Sequence, residues 1–157
     1  MKRSSPWSLA ILVLALGALA GAQETKKDAD PLAVGAEWKG KLTQKGKIKG
    51  NKDIPAEFQV VMVITQRKDK EFECELREKI DDSFVTYLCK GKFAAGDKET
   101  LKLDFESVFL KSASEGFISV PRAKYTGTVN GKTLKGTWKY PVDTEDTELE
   151  GEFNFER

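Results

Sequence analysis

Residues 125–138 read YTGTVNGKTLKGTW, with three glycines and an Asn-Gly pair inside sequence that otherwise alternates like a strand. A strand interior accepts glycine where a side chain or another backbone approaches closely. Asn130-Gly131 is the strongest short hairpin signal, because a type I′ turn needs positive φ at both central residues. Placing those two at the tip sets Val129 opposite Lys132, Gly127 opposite Leu134, Tyr125 opposite Gly136 and Ala123 opposite Trp138. Each large inward residue then meets a small one across the ladder. A tightly curved sheet requires such pairing, and the stretch therefore points to a small β-barrel.

The rest of the chain carries the same period of two, the mark of half-buried strands. In 71–78 (EFECELRE), Phe72, Cys74 and Leu76 share one face, and Glu73, Glu75 and Arg77 the other. Segment 100–106 aligns Leu101, Leu103 and Phe105, and 149–156 aligns Leu149, Gly151, Phe153 and Phe155. No stretch after residue 22 shows a convincing helical period. The spacing of turns predicts an all-β fold, an antiparallel up-and-down barrel of about eight strands closed by its first and last strands. Segment 57–66 (EFQVVMVITQ) is apolar on both faces. It calls for an outer cover, from the residues before 35 or from 108–120.

The turn at Asp81-Asp82 sets Cys74 directly opposite Cys89. Reading Ile80–Ser83 as a four-residue loop makes this a non-hydrogen-bonded pair with close Cα atoms. The expectation is a Cys74–Cys89 disulfide, with two buried thiols as the plainer alternative. By the same parity Glu78 points inward opposite Val85, near a strand end, where contact with water at the rim is its expected role.

Three segments make up the chain. Residues 1–22 read as a secretory signal peptide: Lys2 and Arg3, an apolar run from Leu9 to Leu19, then the small-residue cleavage site Ala20-Gly21-Ala22. The run is short for a membrane span, which takes ~20 apolar residues. Residues 23–34 (QETKKDADPLAV) form a flexible leader, and 35–157 the barrel domain. The expected location is secreted or periplasmic, with no membrane span once the signal is cleaved.

Composition narrows the function. The chain holds 26 Lys and Arg against 25 Asp and Glu, and loss of Lys2 and Arg3 leaves 24 against 25. A near-neutral chain has no global attraction to nucleic acid or anionic membrane. The absence of His removes His-based zinc sites, Ser-His-Asp triads and Cys-His dyads. No CxxC motif or EF-hand spacing occurs, and no metal or cofactor is expected. Lysines crowd positions 39–52, and acids crowd 143–152. These runs are read as cross-strand partners where the first and last strands meet, ahead of an anion or calcium site. Such pairs contribute ~0.2–1 kcal/mol each.

The segments GAEWKG (35–40) and GTVNGKTLKGTW (127–138) resemble the calycin group, the small antiparallel barrels of lipocalins and avidins. Gly35 and Trp38 are separated by two residues, where the lipocalin G-x-W has one. The chain also resembles short exported bacterial proteins with one W-x-G strand and a late G-x-W hairpin. The resemblance implies the barrel and transfers no binding residues. The sequence thus suggests a non-catalytic protein holding a small apolar ligand. Trp38, Phe58, Tyr87, Phe105, Tyr125 and Trp138 are its candidate lining, or else the filling of a solid core. The alternative is a protein-binding or inhibitor module of the cell envelope acting through its loops. Segment 107–122 (SVFLKSASEGFISVPR) reads as irregular and suited to capping the barrel mouth or covering 57–66.

Overall fold

A computed structural model describes residues 30–48, 56–115, 123–140 and 147–157. The expected signal peptide, leader residues 23–29, the capping residues Phe117, Ile118 and Val120, and Asp143, Glu145 and Asp146 lie outside them. The chain forms β1 (Glu37–Thr43), β2 (Lys45–Ile48), β3 (Glu57–Lys68), β4 (Glu71–Ile80), β5 (Ser83–Ala95), β6 (Leu101–Ala113), β7 (Lys124–Asn130), β8 (Thr133–Lys139) and β9 (Thr147–Glu156). All pairings are antiparallel. The ring runs β1-β3-β4-β5-β6-β7-β8-β9 and closes where β9 pairs with β1. β2 prolongs β1 along β9 in one register, with Leu42 opposite Phe153 and Lys45 opposite Glu150. Closure pairs the edges that an open sheet would expose. Among the described residues, no helix is long and apolar enough to cross a membrane.

Alternation dictates the core. Trp38, Leu42, Val60, Met62, Ile64, Phe72, Leu76, Leu103, Phe105, Tyr125, Leu134, Phe153 and Phe155 all face inward and are buried. Phe105 stacks on Tyr125 at 4.6 Å, Phe72 meets Phe105 edge-on at 5.9 Å, and Phe153 stacks on Phe155 at 5.0 Å. The middle of the barrel is therefore a packed aromatic column. Each such pair adds ~0.5–1.5 kcal/mol beyond its buried area.

The hairpin of β7 and β8 is shifted from the register expected for it. Asn130 stays in the ladder opposite Thr133, and Gly131 and Lys132 form the tip. Gly131, at φ 57°, takes the first central position, as in type II′ turns. Tyr125 now faces Trp138, Val129 faces Leu134, and Gly127 faces Gly136. The large-against-small pairing is thus wrong in detail. The glycines make room for a third strand instead. A Cβ on Gly136 would lie 2.5 Å from Phe153 Cζ, and one on Gly127 2.8 Å from the same atom.

The expected disulfide is also corrected. Cys74 and Cys89 are directly opposed and buried, but both are free thiols. Ile80 pairs with Ser83, so the loop is the two-residue turn Asp81-Asp82 and not a four-residue one. Counting from that turn, Cys74 and Cys89 occupy a hydrogen-bonded position, with Cα atoms ~5.5 Å apart rather than ~4.5 Å.

Two further expectations change. Residues 107–113 are not irregular. They continue β6, with register shifts at Val108 and Lys111 that turn Phe109 outward and keep Lys111 out of the core. There Lys111 pairs with Glu75. β3 is paired along its edges with β1 and β4, and Val61 and Val63 on its outer face are half-buried.

Candidate ligand-binding site

The two ends of the barrel differ. At one lie the turns Asp69-Lys70, Gly96–Thr100 and Gly131-Lys132, and residues 30–36 fold across it as a plug. Leu32 is fully buried there. The plug is bonded to β3 through Gly35 N–H to Ile64 O (2.8 Å) and Ile64 N–H to Ala36 O (3.0 Å). Trp38 Nε1 donates to Pro31 O at 3.1 Å. The Arg157 guanidinium lies 5.8 Å from the Trp38 ring and donates to Asp30 O at 2.9 Å. Arg67 pairs with the Asp30 carboxylate and lies 4.6 Å from the Phe93 ring. Residues 30–34, assigned by sequence to a leader, thus belong to the packed structure.

The structure does not gather the six expected lining residues into one site. Trp38 belongs to the plugged end. Phe105 lies in the aromatic column, packed against Phe72, Tyr125 and Phe153. Phe58, Tyr87, Tyr125 and Trp138 are on the inner wall of the other half, toward the Asp81-Asp82 turn. Tyr125 belongs to both groups, stacked on Phe105 below and 6.3 Å from Trp138 beside it. Trp138 is fixed by its Nε1–H bond to Thr43 O at 2.9 Å, which passes over Gly151.

Sequence parity placed Glu78 on this inner wall but gave it only a rim role. It is opposite Val60 on β3 and Val85 on β5, and it retains 8% of its exposure. Its carboxyl has no hydrogen bond or ion pair among the described residues. Burial pushes that carboxyl from 4.5 to about 8. Tyr125 is pushed up by burial and then by the nearby charge of Glu78, with Cys89, Tyr87 and Tyr140 as further neighbours. Cys89 is raised first by its hydrogen bond with Cys74 and then by burial. The side chains of Leu42, Phe58, Val85 and Leu149 are buried and apolar in the same half of the barrel.

Two grooves mark the outer surface instead. One, of ≈ 670 Å³, crosses β3 to β7 over Gly91. Phe72, Phe105 and Tyr125 line it together with the cross-strand ion pairs Glu73–Lys90 at 3.0 Å and Glu71–Lys92 at 3.4 Å. The other, of ≈ 680 Å³, lies over Thr43, Thr137 and Glu152. Both are bounded largely by charged and polar side chains. Among the described residues, no group of three or more His, Cys, Asp or Glu could hold a metal ion.

The closure seam carries opposed charges. Lys45 pairs with Glu150 at 3.1 Å, whereas Lys41 turns to Glu57 on β3 at 2.6 Å and Lys39 to Glu37 at 2.6 Å.

Comparison with protein-family models, curated proteins and solved structures finds no match for this chain.

Proposed function

We propose that this protein is a non-catalytic, exported binding barrel that receives a small, largely apolar ligand at the end beside the Asp81-Asp82 turn. The observation that carries this reading is the asymmetry of the barrel. The chain stoppers one end with Leu32 and Trp38, and it lines the inner wall of the other with Phe58, Tyr87, Tyr125 and Trp138. Small barrels hold single ligands in this position, with an apolar wall and few polar groups. The packed centre limits the ligand to the outer half of the interior. The resemblance to calycin barrels is consistent with such a role and lends it no residues.

Native mass spectrometry of protein purified from its own host tests the reading. The expected result is an added mass that leaves on denaturation. Bare polypeptide mass, together with failure of neutral apolar dyes to bind, would overturn it.

A second reading, docking of a protein partner, is favoured by the outward apolar residues of β5 and β6. Phe109 is 59% exposed, Phe84 40% and Val108 38%. Substituting Phe109 by Ser separates the two readings, since it leaves the inner wall untouched.

A further inference from the structure

We propose, building on that reading, that the ligand carries an organic ammonium group and that Glu78 is its counter-ion inside the barrel. The geometry is that of a carboxyl lacking its partner. Glu78 projects from β4 into the interior between Val60 and Val85 and is more than nine-tenths buried. It makes no hydrogen bond or ion pair among the described residues. Buried acids are ordinarily paired, because an unpaired charge in an apolar surround is costly. An ammonium ion would supply the missing partner.

The surrounding groups favour a cation over an anion. From β3 the carboxyl is faced by Val60, from β5 by Val85, with Tyr87 and Cys89 farther along the same inner face, and from β7 by Tyr125, which has Tyr140 as a further neighbour. Among the described residues, no Lys or Arg is found with them. Aromatic rings attract cations through their negative faces. A carboxylate ligand would instead meet a like charge or force Glu78 to stay protonated. Tyr125 and Cys89 are both held in their protonated forms by their surroundings, so Glu78 is the group that changes charge. At neutral pH the free protein holds Glu78 protonated, and an entering ammonium displaces that proton. Binding therefore releases about one proton and strengthens as pH rises toward 8.

The test uses the purified protein and hexylamine, hexanol and hexanoate, each competing with the neutral dye N-phenyl-1-naphthylamine. At pH 8 hexylamine should displace the dye about tenfold or more below the concentration needed for hexanol, with hexanoate weakest. Below about pH 8 its affinity should fall by about tenfold per pH unit, while that of hexanol stays level. Glu78→Gln should bring amine and alcohol within about twofold of each other while dye binding persists. If the variant does not fold, calorimetry of the unsubstituted protein in two buffers of different ionisation enthalpy gives the proton count directly. Dye and alcohol binding without amine preference or proton release would overturn the counter-ion role and leave the binding barrel standing. No binding of dye or of any of the three would overturn both.

Discussion

Glu78→Gln should remove a dependence of folding stability on pH. In the unfolded chain the carboxyl titrates near its usual 4.5, and in the folded barrel burial raises it to about 8. Below pH 4.5 the group is neutral in both states and favours neither. Between 4.5 and about 8 the unfolded chain releases the proton and the folded chain keeps it. Stability therefore falls as pH rises through this window and levels off above it. At ~1.4 kcal/mol per pH unit the full span corresponds to ~5 kcal/mol. Residual solvent contact reduces this, and a loss of about 2–4 kcal/mol between pH 5 and 9 is the working figure.

Gln has nearly the same shape and no charge. Its buried amide will cost ~1–3 kcal/mol if unsatisfied, but equally at every pH. The diagnostic quantity is thus the difference between the two proteins as a function of pH. Urea unfolding followed by Trp fluorescence at pH 5 to 9 measures it. The Gln variant should gain on the parent steadily from pH 5 to 8. Parallel curves across that range would show that Glu78 titrates normally, and they would remove the argument for an unpaired buried carboxyl.

Four other outcomes are expected. Trp38→Ala should destabilise by ~3–5 kcal/mol in denaturant unfolding, because it empties the plugged end and removes the bond to Pro31. Lys41→Glu should cost under ~1 kcal/mol and be partly restored by Glu57→Lys, not by Glu150→Lys, since Lys41 pairs with Glu57. A double-mutant cycle decides between the two partners. Thiol titration should find two thiols after denaturation and almost none in the native state, as Cys74 and Cys89 are free and buried; a count of zero after denaturation would show a bridge. Gly151→Ala should weaken or prevent closure, because its Cβ would fall 1.8 Å from Thr43 O at the seam, and circular dichroism with thermal melting would report the loss.

Why was the barrel legible when much of its interior detail was not? Alternation assigns each side chain to a face, and faces alone determine which residues are buried. Alternation therefore assigns Tyr125, Val129, Leu134 and Trp138 to the inside, where they are buried, without reference to their neighbours. Register is a separate question. Moving the β7–β8 tip by one residue changes every opposed pair yet leaves every face unchanged, because each residue then meets the next inward position across the ladder. The hydrophobic pattern cannot distinguish the two, and only turn chemistry can. Asn-Gly argued for a I′ tip, but Gly131 takes the first central place and Asn130 stays in the ladder. The same kind of choice at Ile80 and Ser83 decided whether the thiols faced each other in a hydrogen-bonded position. The plug was hidden for another reason: Asp30 and Arg157 are joined by a contact across almost the whole chain, which no local pattern encodes. Glu78 lies between these cases. Parity placed it inside, but an inward carboxyl is unremarkable at a wet rim and demanding where, as here, only 8% of its exposure remains. What separates the two is the identity of the groups around it, contributed by β3, β5 and β7. A site assembled from so many strands becomes readable only after the ring has closed.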